Sequence, residues 1–202
     1  MTLTSWPVLI GVALVTFLAM EWVAWWTHKY VMHGDWGWGW HKSHHEEHDE
    51  LFEKNDLYAV VFSGIAIVLF VVGSLAGLPL VLAFATGITL YGIFYFIVHD
   101  GLVHQRWPFR NIPHRGYAKR LVQAHRLHHA VEGREDNVSF GFLYAPPADR
   151  LHAQLKASGV VERERRAARE AKAAARAATA TVTPPDASRE RPDEAEMPRG
   201  AA

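Results

Sequence analysis

Between Leu57 and Val98 the chain runs for 42 residues without a single Asp, Glu, Lys or Arg. A run this long and this apolar accommodates two membrane helices of about 20 residues each, with Gly73, Gly77 and Pro79 supplying the turn between them. A third apolar stretch, from Trp6 to Trp26, holds one charged residue, Glu21. No Lys or Arg precedes it and no small-residue cleavage site follows, so it reads as a retained span, not a signal peptide. The expected fold class is all-α: an integral membrane helical bundle with three spans and a histidine-rich helical cap on the cytoplasmic side. A fourth membrane-associated segment fits within 117–147, although "FGFLYAPP" is too short to cross.

The cations orient the bundle. Residues 1–28 contain no Lys or Arg, whereas Lys29, Lys42 and Lys54 follow the first span, and Arg106, Arg110, Arg115, Lys119, Arg120 and Arg126 follow the third. The positive-inside rule then puts the amino terminus outside, and the 29–56 segment and everything after residue 99 in the cytoplasm. Trp22, Trp25 and Trp26 suit the aromatic belt of the inner face. Lys plus Arg and Asp plus Glu number 21 each, so no electrostatic pull toward nucleic acid is implied. The absence of cysteine removes disulfides, thiolate metal sites and cysteine nucleophiles. Residues 1–160 read as the membrane-embedded domain. From 161 onward "VERERRAAREAKAAARAATA" favours a solvated helix, and the Pro- and charge-rich "TVTPPDASRERPDEAEMPRGAA" reads as a disordered tail.

Ten of the thirteen histidines fall into four clusters: His28 with His33, His41 with His44 and His45, His99 with His104, and His125 with His128 and His129. Positions i, i+3 and i+4 share one face of a helix, so each HxxHH block aims three imidazoles one way. Residues five apart sit about 140° apart around an α-helix, so each HxxxxH pair requires a helix end or a local distortion. His28 closes the first span and His99 the third. Three spans therefore put all four clusters at one side of the bilayer, where they can meet in one site, each half receiving an equivalent triplet. Ten such imidazoles near a membrane would repel one another if charged, whereas a metal binds their neutral forms. His114 and His152 read as ordinary polar residues, and His48 as either a partner to the cluster or a solvated residue of an acidic run.

Ten imidazoles exceed the needs of one ion, and two ions with open positions suit the count. Imidazole accepts zinc, copper, nickel and iron alike. A metal pair at the lipid boundary favours a bilayer-dissolved substrate, and attack on its C–H bonds requires a redox-active metal, which zinc is not. A zinc-protease reading fails because His45-Glu46-Glu47-His48 is one residue short of HExxH. A transporter would place its ligands near the bilayer midplane, where these spans have no histidine, and a haem protein would have no use for adjacent pairs such as His44 and His45.

The four-part histidine pattern, with "MHGDWGWGWHKSHHEEHDELFEKNDLY", "HDGLVHQRWPFRNIPHRGYAKRL" and "QAHRLHHAVEGREDNVSFGFLYAPP", resembles the bacterial β-carotene hydroxylases within the fatty-acid hydroxylase and sterol desaturase superfamily. The likeness runs from about residue 5 to residue 160. Asn137 stands where that family often has a cysteine, a departure that puts nothing catalytic in doubt. The resemblance implies a non-haem di-iron monooxygenase that hydroxylates carbon 3 of a β-ionone ring. β-Carotene becomes β-cryptoxanthin and then zeaxanthin, and canthaxanthin leads to astaxanthin, with O2 and a ferredoxin-type electron donor consumed. It also implies a multi-pass location in the bacterial inner membrane, and makes the metal-binding and catalytic residues His28, His33, His41, His44, His45, His99, His104, His125, His128 and His129. The alternative is a di-iron hydroxylase or desaturase of a fatty acyl chain or sterol.

Further positions are proposed around that set. Glu21, seven residues before His28, either hydrogen-bonds a ligand imidazole or reaches the interface; Tyr95 and Asp100 could orient His99; Asp49, Asp56 and Asp136 are weaker candidates. Trp6 and the aromatic residues of the third span could line a polyene channel. The arginines of 106–120 either dock an acidic donor or set topology.

Overall fold

The computed structural model describes residues 5–46, 52–107 and 111–180; His48, Asp49 and the tail from residue 181 lie outside them. The regular secondary structure of the described residues is all helix, with no strand. Helix α1 spans Trp6–Trp26 and continues through a wider π turn, Thr27–Met32; α2 spans Trp38–His45 and α3 Asp56–Leu75. Helix α4 spans Pro79–Tyr95 and likewise continues as a π segment, Phe96–Val103, followed by α5 (Gly116–His128), α6 (Ala148–Ser158) and α7 (Val160–Ala180). With their π extensions, α1 and α4 reach 27 and 25 residues, and α3 has 20; these three helices are long and apolar enough to cross a membrane. No further helix among the described residues meets that requirement, so the 117–147 region supplies no fourth span.

Helices α3 and α4 form a hairpin closed by a Schellman motif. The Leu78 amide donates to the Gly73 carbonyl at 2.8 Å, and Gly77 takes the left-handed conformation, φ 63°, that its missing Cβ permits. Pro79 then opens α4, where its lacking N–H is no loss. Helix α1 packs on α4 where Gly87 lies so close that an added Cβ would fall 2.5 Å from the Ala13 carbonyl oxygen. Lipid tails are as apolar as leucine, so such close approach of backbones, more than hydrophobic expulsion, holds spans together. Toward the histidine end, Met20, Ala24, Ala66, Ile88, Tyr91 and Phe142 form one buried cluster. A second cluster, built on Ala124, Val131, Val138, Leu151 and Leu155, fixes α5 and α6 to the loop that follows α5.

Residues up to Glu164 make one compact unit and those from Arg165 another, the division falling inside α7. In the second unit Arg166 pairs with Glu170 one turn on, an exposed contact of small energetic weight.

Candidate metal centre

The HxxxxH spacing is solved by the π turns. In each, the amide five residues on closes the wide loop: His33 donates to the His28 carbonyl at 3.1 Å, and His104 to that of His99 at 2.9 Å. Widening the turn brings residues five apart to the same side, which an α-helix denies them.

All ten clustered histidines converge. Ring nitrogens of His28, His33, His41 and His128 lie within 4.8 Å of one another, and so do those of His44, His99, His104 and His125. His45 joins the first group, its Nε2 3.3 Å from that of His41, and His129 joins the second, its Nε2 2.9 Å from that of His125. The rings of His45 and His129 stack with centroids 4.6 Å apart, linking the two groups. Each HxxHH triplet is split, so the expectation of one triplet per half needs correction. His41 and His45 stay with the π turn of α1, while His44 crosses to that of α4. His125 and His129 stay with α4, while His128 crosses to α1. Residues i and i+4 share one direction on a helix, and i+3 points about 60° to the other side of i, so a triplet wedged between two centres serves both.

The protonation pattern follows from the surrounding acceptors. Among the described residues, seven of the ten present Nδ1 to an oxygen. The acceptors are the backbone carbonyls of Phe140 for His28 (2.9 Å), Arg134 for His33 (3.0 Å), Val131 for His45 (2.9 Å) and Val138 for His128 (2.8 Å). Side chains serve the others: Asn55 for His41 (2.7 Å), Glu53 for His44 (2.8 Å) and Asp100 for His99 (2.7 Å). A proton committed to Nδ1 leaves Nε2 a bare lone pair. The approaches of His28 to His41 (3.1 Å), His33 to His128 (3.2 Å) and His44 to His99 (3.1 Å) through Nε2 are therefore lone pair against lone pair, not hydrogen bonds. Nitrogens about 2.0–2.1 Å from one metal ion stand roughly 3 Å apart when adjacent in its coordination sphere. The donor set thus fits two cations.

Burial reinforces the neutral form. It lowers the basicity of His33 to about 4, of His41 to about 3 and of His129 to about 2, against an ordinary 6.5, with neighbouring imidazoles pushing the same way. His44, His125 and His128 are also driven down, again first by burial and then by their neighbours.

Around this centre the proposed supporting residues sort themselves. Asp100 accepts from His99, and the Tyr95 ring stacks on His99 at 4.6 Å. Among the described residues, Glu21 hydrogen-bonds to no imidazole. Its carboxylate accepts the backbone amides of Phe142 (3.0 Å), Leu143 (3.0 Å) and Tyr144 (2.9 Å) and the Tyr91 hydroxyl (2.7 Å). It thereby pins the loop whose Val138 and Phe140 carbonyls orient His128 and His28, and whose Phe142 ring stacks on His28 at 5.1 Å. Asp56 holds Arg106 through two bonds of 2.8 and 2.9 Å, which occupies that guanidinium and raises its basicity further. Asp136 pairs with Arg163 instead of a ligand. Asn137 donates weakly to the His128 and Val131 carbonyls at 3.3 Å. His114 and His152 are exposed and outside both groups. Asn55 and Glu53 escaped sequence reading because neither lies in a histidine block; their proximity to His41 and His44 comes only from the chain's return into α3.

A cavity of about 540 Å³ opens beside the centre, lined by α1, α3 and α4 and reaching Tyr95, Asp100 and Phe142. Tyr91, Tyr95 and Phe96 of the third span line it as expected, whereas Trp6 stands 78% exposed and does not.

Two facing imidazole groups thus stand at one end of a bundle whose three long helices could each cross a membrane. Residues 13–153 match the family described as Fatty acid hydroxylase, and the chain belongs to that family. It is similar to a β-carotene hydroxylase of Paracoccus sp. (strain N81106 / MBIC 01143), 61% identical over 76% of this chain and 94% of that one. It is also similar to a β-carotene hydroxylase of Pantoea ananas, 59% identical over 72% of this chain and 82% of the other. With β-carotene 3-hydroxylase 1, chloroplastic, of Arabidopsis thaliana it shares 39% identity over 64% of this chain and 42% of the plant protein. No solved structure matches it.

Proposed function

We propose that the chain is a carotenoid β-ring 3-hydroxylase of the bacterial inner membrane, with its histidine end facing the cytoplasm and its chemistry carried by residues 1–160. The observation that carries this reading is the pairing of two largely buried all-imidazole groups with an apolar cavity that reaches Tyr95, Asp100 and Phe142, the residues in contact with His99 and His28. β-Carotene is converted through β-cryptoxanthin to zeaxanthin, and canthaxanthin to astaxanthin. Each step replaces one C–H bond with C–OH, taking one O2, two electrons from a ferredoxin-type donor and two protons, and releasing one water. Two iron ions, when bound, supply the activation of dioxygen that no side chain can provide.

The protein's own contribution is placement. His28, His33, His41, His45 and His128 would hold one ion, and His44, His99, His104, His125 and His129 the other. Carbonyl and carboxylate acceptors on the Nδ1 of His28, His33, His41, His44, His45, His99 and His128 keep the Nε2 of those rings available, as metal-binding histidines require. Phe142 and Tyr95, stacked on His28 and His99, form an apolar wall that excludes bulk water and receives a hydrocarbon ring. Expression in a β-carotene-accumulating bacterial host, followed by pigment chromatography, tests the reading. Zeaxanthin with β-cryptoxanthin as intermediate is expected, and both vanish with His44→Ala or His128→Ala. Unchanged β-carotene from correctly inserted wild-type protein would overturn it.

A further inference from the structure

The cavity beside the centre is not enclosed. Its inner surface is made of the buried Met20, Ala24, Ala66, Ile88 and Tyr91, but its rim runs along two helices through exposed residues. On α3 the rim is Ala59, Ser63 and Ile67, and on α4 it is Thr89, Gly92, Ile93 and Phe96. The spacing of three and four keeps each set on one helix face. Ile67, Ile93 and Phe96 are 62%, 49% and 52% exposed, apolar side chains suited to contact with lipid. The two helices are tied at their far end by the Gly77 turn and by Gly73 against Leu82, where an added Cβ would meet the leucine at 2.9 Å. At the histidine end Arg106, just past the π extension of α4, binds Asp56 at the start of α3, so the gap opens sideways between these two ties.

Gly92 stands in this gap with particular effect. It is itself a rim residue and lies seven residues before His99 on the same helix, two turns or about 10 Å along the axis. A Cβ built there meets nothing within 4 Å. No neighbour requires a glycine at that position, in contrast with Gly87 and Gly73, and glycine in a helix interior is unfavourable by about 1 kcal/mol relative to alanine. What its missing side chain provides is width.

We infer that the groove between α3 and α4 is a lateral entry through which a lipid-dissolved substrate reaches the metal centre, and that Gly92 sets its width just behind the ring being oxidised. The inference rests on the carotenoid reading for its substrate. A ring-ended polyene is broadest at its ring, and it is about as long as the roughly 30 Å hydrocarbon core is thick. It can therefore enter sideways from the bilayer with its far end still in lipid. Ser63, Thr89 and Ala59 keep the opposite and adjacent rim positions small.

The test uses paired substitutions. Gly64 on α3 also has open space around an added Cβ, yet it does not line the cavity. Gly92→Leu, whose side chain would project into the groove, should lower hydroxylated pigment in the β-carotene-producing host by about tenfold or more, a barrier of about 1.4 kcal/mol, with bound iron and helix content unchanged. Gly64→Leu should leave pigment at the wild-type level. Because the natural chain has no cysteine, Gly92→Cys and Gly64→Cys each introduce a single thiol. In nanodiscs β-carotene should slow modification by a membrane-soluble maleimide at position 92 but not at position 64. Wild-type pigment from Gly92→Leu, equal losses in both leucine variants, or no protection at position 92 would overturn the entry route. Protection at position 92 in a protein that leaves β-carotene unoxidised would keep the entry route and sink the proposed reaction.

Discussion

Glu21 is the charged residue of the first span, and replacing it by alanine should disable one metal group while leaving the other. Its carboxylate gathers three successive backbone amides and one phenol, at 2.7–3.0 Å. A hydrogen bond to an ionised acceptor contributes about 1.5–3 kcal/mol. Tyr144 is exposed and its amide can turn to water, and contacts that share one acceptor do not add fully. A loss of about 3–5 kcal/mol for Glu21→Ala is therefore the expected scale. The freed loop carries the Val138 and Phe140 carbonyls that orient His128 and His28. Loss of such a partner weakens metal binding by about 10–100-fold. The group containing His44, His99, His104 and His125 draws on Glu53 and Asp100, which lie elsewhere in the chain. With two iron ions bound as proposed, purified Glu21→Ala dialysed against graded chelator should thus retain close to half the wild-type iron, with a lowered unfolding temperature in detergent. Glu21→Gln, whose carbonyl still accepts, should recover part of both. Equal retention of both metals in Glu21→Ala, or first loss from the His44 group, would refute this division of labour.

Two other expectations follow from the same geometry. Asn55→Leu should weaken the group containing His41, and Glu53→Leu the group containing His44, each by about 10–100-fold; chelator titrations that reveal identical site preferences for the two variants would contradict the crossed assignment. For iron-free protein, the depressed basicities of His33, His41 and His129 make the unfolded chain bind protons that the folded one refuses. Stability should be full above pH 6.5 and fall as pH drops toward about 4, 3 and 2 respectively. The slope rises toward about 1.4 kcal/mol per pH unit for each group while it remains neutral in the fold. Denaturant unfolding between pH 7 and pH 5 measures it, and a flat profile would contradict burial of these rings as neutral bases.

Much of this molecule could be read before its structure. Charge-free length alone defines three spans, because a bilayer demands about 20 apolar residues and offers no other partner for a backbone. The histidine spacing also announced a distortion at each HxxxxH pair, since an α-helix cannot aim both rings together. What spacing could not supply was the kind of distortion, a π turn closed by the His33 and His104 amides. Nor could it show that each triplet divides two against one between the groups. Glu21 illustrates the limit most clearly: as the lone charge in a span it was legible as functional, but its partners lie 121–123 residues away in the chain at Phe142, Leu143 and Tyr144. Local sequence determines which helices form, which side chains can bind metal and where the lipid lies, because those depend on composition and period. Which carbonyl orients which imidazole, and which helices border the cavity, depends on contacts between segments far apart along the chain, and only their packing in three dimensions decided them.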